Sequence, residues 1–141
     1  MSATTTVDLD ADLLKALRDF RLSKRSSKSA ALVAKIDKKK LLLEEEEVFD
    51  PITPEELAEE LPEHSPRFVI MSYELSHADG RVSYPLFLLY WAPVSASMEL
   101  STLYASALSN FSVHADVGKV IDIRDGILSK KVLDERLGSR R

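Results

Sequence analysis

The stretch "RFVIMSYELSHADGRVSYPLFLLYW", Arg67 to Trp91, decides how the rest of the chain is read. Both arms are rich in aromatic and β-branched residues, and "HADG" between them holds Asp79-Gly80, a pair that turns a chain tightly. The stretch predicts a long β-hairpin. Pro85 interrupts its second arm and donates no amide hydrogen, so that position must lie at a sheet edge, at a bulge or beside a break in the ladder.

Pro93 ends the second arm, and Ser95 or Ser97 can cap a following helix. In "SMELSTLYASALSNFS", Ser97 to Ser112, a turn of about 100° per residue gathers Leu100, Leu103, Tyr104, Ala107, Leu108 and Phe111 on one side. Met98, Thr102, Ala105, Ser106 and Ser109 gather on the other. The first side is a core face. The second is small, neutral and lined by hydroxyls, where a surface helix usually carries charge. Beyond it, "KVIDI" reads as a short strand, and "SKKVLDERLG" as a last helix with Ser129 as cap and Gly138 just past its end.

Upstream of the hairpin, "TPEELAEEL" supplies Thr53 as N-cap, Pro54 at the first helical position and Glu56 as reciprocal partner, a capping box. "AALVAKID" and "KLLLEEEEVFD" predict two strands joined by a tight turn near Asp37 to Lys39; Asp50 and Pro51 stop any helix that the four glutamates might otherwise favour. Asp10 caps a first helix with apolar Leu13, Leu14, Leu17 and Phe20. The predicted order is α, β, β, α, β, β, α, β, α. Hairpins alternating with helices give an α+β (mixed α/β) class, a mixed sheet with helices on both faces.

The 141 residues, 45% hydrophobic and 30% charged, fit one domain over 1–141 with its own core, since no Gly, Ser or Pro-rich linker divides them. A net charge of −4 argues against general nucleic-acid binding, which needs a basic footprint. The absence of cysteine removes disulfides and thiolate metal sites and fits a reducing compartment. The N-terminus lacks the pattern of a signal peptide, and the longest apolar run, "PLFLLYWAPV", is too short to span a bilayer. These features predict a cytosolic, soluble protein without membrane insertion; a monomer is expected.

Catalytic chemistry is hard to find. His64, His77 and His114 lie apart, without the three or four converging ligands that zinc requires. Four glycines form no phosphate cradle, and no serine sits in a nucleophile elbow. A small serine hydrolase assembled from distant residues stays open as an alternative. No metal and no cofactor is expected.

Read in order, "LLKALRDFRLSK", "LVAKIDKKKLLL", "ITPEELAEELPEHSPRFVIMSYE", "DGRVSYPL", "LYAS" and "KVIDIRD" give a chain that resembles the actin-depolymerising-factor homology family, of which cofilin is a member, and within it the glia maturation factor group. The resemblance covers nearly the whole chain. It implies a five-stranded mixed sheet between helices, no catalysis, and a long third helix that docks in a cleft of an actin-like subunit. For this group it implies binding to the actin-related protein two/three complex at filament branches, with inhibition of nucleation, promotion of debranching, and weak or no binding to actin itself. The partner-binding residues would be Met98, Glu99, Ser101, Thr102, Ala105, Ser106 and Ser109, with Ser2 beside them. Filament-severing relatives carry lysines at the helix start, where this chain has Glu99 and Ser101, and no Lys or Arg occurs between Arg81 and Lys119. Cofilin-like binding to actin monomers and filaments remains the alternative within the fold. A second surface for the branch junction is expected among Arg18, Arg21, Arg81 and Arg124, with Lys24 and Arg25 extending the first helix's basic stripe.

Overall fold

The computed structural model describes residues 7–23 and 27–138. Its elements follow in the order β1 (Asp8–Leu9), α1 (Ala11–Leu22), β2 (Ala30–Asp37), β3 (Leu42–Phe49), α2 (Pro54–Glu60), β4 (Arg67–Ser72), β5 (Leu75–Ser76), β6 (Val82–Ser83), β7 (Leu86–Trp91), α3 (Met98–Ala115), β8 (Val120–Ile123) and α4 (Lys130–Leu137). Six strands form one mixed sheet in the order β1-β3-β2-β4-β7-β8. The outer pairs β1/β3 and β7/β8 are parallel and the inner pairs antiparallel.

Side chains alternate across a strand, so β4 sends Phe68 and Ile70 to one face and Val69 and Met71 to the other. α1 and α3 cover the first face, burying Leu13, Leu17, Tyr104 and Phe111; α2 and α4 cover the second, burying Leu57 and Leu133. A sheet covered on both sides needs strands that are apolar on both sides, and β2, β4 and β7 are.

Helix ends follow local chemistry. Asp10 accepts from the Asp12 amide, Thr53 and Glu56 close the capping box, Ser97 and Ser129 accept from Leu100 and Val132, and Gly138 ends α4 in the left-handed region at φ 79°. In α1, Leu14 departs from the expected core stripe and is 38% exposed. It lies about 100° round the helix from Leu13, outside the arc shared by Leu13, Leu17 and Phe20.

Two further expectations are corrected. The sheet has six strands rather than five, because Asp8 and Leu9 pair with Leu42 and Leu43 ahead of α1. The Asp8 amide donates to the Leu41 carbonyl at 3.1 Å and the Asp10 amide to that of Leu43 at 2.9 Å. Two residues carry no periodicity, so nothing in "VDLD" marks a strand. The long hairpin is also divided: β4 pairs with β7 from Arg67↔Trp91 to Ser72↔Leu86, while β5 and β6 form a separate two-stranded sheet. Pro85 lies beside that break, its carbonyl accepting from the Tyr73 amide at 3.1 Å while its ring nitrogen returns nothing.

The β2–β3 connection is built on Asp37, whose Oδ1 accepts from the amides of Lys39 at 2.9 Å and Lys40 at 3.2 Å. These bonds, that from the Lys40 backbone foremost, hold the Asp37 carboxyl below the usual carboxylate range.

Candidate docking surface

α3 is anchored from beneath. Phe68 stacks on Phe111 with ring centroids 4.9 Å apart and meets Tyr104 edge-on at 5.4 Å. β2 extends past its last β4 partner, Ala34, so the Ile36 amide has no strand beside it on that side. It donates instead to the Tyr104 hydroxyl at 2.9 Å. Burial raises the pKa of Tyr104 and outweighs the bond from the Ile36 amide, which pulls it down. With one face held this way, the opposite face must point outward.

On that outer face Met98 is 84% exposed, and Thr102, Ala105, Ser106 and Ser109 are exposed with it. The helix continues three residues past Ser112 to Ala115, where Asp116 caps it at φ 56°. The extension adds Val113, 71% exposed and four residues beyond Ser109, to the same stripe. The Ser106 hydroxyl donates to its own helix, to the Leu103 carbonyl at 2.7 Å.

The flanks differ. Glu99 is paired with Lys38 of the β2–β3 turn at 3.3 Å. On the other flank Ser101 is half-buried, and with Thr102 and Ala105 it lines a groove of about 410 Å³ that is completed by Tyr90, Ala92, Pro93, Val94 and Arg124. The Arg124 guanidinium lies 5.9 Å from the Tyr90 ring centroid, and its Nε donates to Asp122 at 3.0 Å. That bond holds the Asp122 carboxyl below its ordinary value. Sequence reasoning missed Val113 and Val94, the latter 81% exposed. Val113 continues the helical stripe and was findable, whereas Val94 follows Pro93 without any pattern.

The four second-surface arginines do not form one patch. Arg124 follows Ile123, which pairs with Trp91 where β7 ends, so it belongs to the α3 groove. Arg81 lies beside the β5–β6 turn at the other end of β7, its Nε donating to Asp79 at 2.7 Å. Arg18 is exposed on α1. Arg21 is largely covered, with Nη1 3.9 Å from Asp116 and a buried Nε that finds no acceptor among the described residues. Ser2, Lys24 and Arg25 lie outside the described residues.

The hydrolase alternative meets one suggestive pair. His64 Nδ1 lies 2.7 Å from Ser95 Oγ, but that hydroxyl donates to the Glu63 carbonyl at 3.0 Å, so the ring is the donor. A nucleophile and its base need the reverse polarity. Among the described residues no group of three or more His, Cys, Asp or Glu could hold a metal ion.

The fold has named counterparts. Residues 6–134 match the model of the cofilin/tropomyosin-type actin-binding proteins. The chain belongs to this family. Within it, human glia maturation factor beta is 41% identical over 132 residues, covering 93% of this chain and 92% of that protein. Glia maturation factor of Drosophila melanogaster is 36% identical over 125 residues, 89% and 90% of the two chains. The solution structure of glia maturation factor from Caenorhabditis elegans superposes with a TM-score of 0.80 at 34% identity, over 96% of this chain and 99% of that one. As a member of the cofilin/tropomyosin-type family, the chain is a non-enzymatic actin regulator of the glia maturation factor kind. Among the described residues no helix is long and apolar enough to cross a membrane.

Proposed function

We propose that this chain regulates branched actin by seating α3 in a cleft of the actin-related protein two/three complex, inhibiting branch nucleation and promoting debranching. The outer face of α3 carries this reading: over its length Met98, Thr102, Ala105, Ser106, Ser109 and Val113 present small or apolar groups and no charge. A helix enters a groove only where its side chains let the backbone approach, and interface cores are depleted in charge. The groove between α3 and Arg124 gives the partner a place to insert a side chain of its own. Similarity to the glia maturation factors supports the branch complex over ordinary actin as the principal partner. The chain acts as one monomeric domain in the cytoplasm, at actin-rich structures such as cortical patches or lamellipodia. Arg18, exposed on α1, supplies the second contact that debranching requires, with Arg81 at the other end of β7 as a separate candidate.

The test pairs binding to the purified actin-related protein two/three complex with co-sedimentation on actin filaments. Binding to the complex with little filament binding is expected. Binding to filaments alone would replace this reading with the cofilin-like one.

A further inference from the structure

We infer that the β2–β3 turn is an electrostatic rim of the α3 docking surface, shaped for a protein partner with carboxylates beside its cleft, and that Glu99 is an internal counter-ion restraining Lys38. The inference rests on α3 being the docking element.

The three lysines of this turn are held to different degrees. Lys40 is committed on both sides, 3.0 Å from Glu44 and 3.8 Å from Asp37. Lys38 is tethered to Glu99 at 3.3 Å. Lys39 is exposed, and among the described residues its ammonium pairs with no carboxylate. The bonds from the Lys39 and Lys40 amides to Asp37 give the turn a set shape, so these charges are presented rather than left on a free loop.

Glu99 is the second residue of α3, so its contact with Lys38 places the turn against the first helical turn. Glu99 and Ser101 lie on opposite flanks of the outer face at helical spacing. Lys38 stands on the Glu99 flank, and Arg124 stands across the groove on the Ser101 flank. The uncharged outer face formed by Met98, Thr102 and Ala105 is thereby bracketed by cations in a chain whose net charge is −4. A cation stands on each lip of a neutral insert, Lys38 paired with Glu99 and Arg124 with Asp122, and each can exchange its internal carboxylate for one on the lip of a protein cleft. A planar anionic membrane would meet the cations but leave the helix stripe unfilled.

Glu99 then opposes binding. Removing its charge frees Lys38 for the partner, whereas a Glu99 that itself touched a basic partner would be missed.

The experiment measures equilibrium binding of the full chain and its variants to the purified actin-related protein two/three complex at low and physiological salt, with thermal melts to confirm folding. Glu99→Gln should bind about two- to fivefold tighter, the worth of an exposed ion. Lys39→Glu should bind at least about threefold more weakly with a flatter salt dependence. Thr102→Arg is the control for the docking element and should lose binding altogether more severely. If Thr102→Arg loses binding while Glu99→Gln weakens it or Lys39→Glu leaves it unchanged, the rim is overturned and the docking helix stands. Normal binding by Thr102→Arg overturns the docking helix, and the rim with it. Vesicles containing phosphatidylserine form the last arm: if Lys39→Glu lowers vesicle binding but not binding to the complex, the surface belongs to lipid and the inference is wrong.

Discussion

Replacing Tyr104 by Phe tests how α3 is held in place. The ring's packing against Phe68 is kept, so the perturbation is the loss of one hydroxyl. Its partner, the Ile36 amide, belongs to a residue only 6% exposed and has no strand beside it on that side. Water therefore cannot readily replace the phenol. A buried donor left without an acceptor costs about 1–3 kcal/mol. For a domain of this size that corresponds to a fall in melting temperature of roughly 3–10 °C. Urea and thermal denaturation measure the loss, and amide hydrogen exchange locates it, since the Ile36 amide should exchange faster in the variant than neighbouring amides of β2. Binding to the partner complex should change little, because Tyr104 faces the sheet. A variant within about 0.5 kcal/mol of the parent, with Ile36 still slow to exchange, would show that another acceptor serves this amide.

Three other outcomes are expected. Ala105→Arg keeps a good helix former at an exposed position but carries an unpaired charge into the cleft, so affinity for the complex should fall more than tenfold, at least about 2 kcal/mol, with an unchanged melting temperature; normal binding would remove α3 as the docking element. Arg18→Ala, alone and with Arg81→Ala, should slow branch loss watched by microscopy while leaving affinity for the free complex within a few fold; Arg18 is the cleaner probe on α1 because Arg21 is largely covered, and a loss of debranching merely proportional to binding would exclude a second surface. Asp122 should titrate by NMR below its ordinary 3.8, and Arg124→Gln should move the midpoint up; because the folded value is the lower one, this contact favours the fold above about pH 4 and is lost as acid protonates the carboxylate.

Chemistry between near neighbours is written along the chain. Thr53 and Glu56 satisfy each other's amides across three residues, and Ser97, Ser129 and Gly138 end their helices by contacts within a turn. The two faces of α3 were legible for the same reason, since a period of 3.6 residues is written along the chain itself. The partial misreadings arose where that range was exceeded. Nothing in two residues announces that Asp8 and Leu9 will lie beside β3, and the aromatic run from Arg67 to Trp91 reads as one hairpin because composition does not record where pairing breaks. Assembly of the sheet and helices brings Lys38 to Glu99 across 61 positions, lays Arg124 over Tyr90 and covers Arg21 beside Asp116. A salt bridge or a cation on a ring is set by the arrival of two backbones at one place. That depends on strand order and register, and at an exposed pair neither residue's own propensities select the partner.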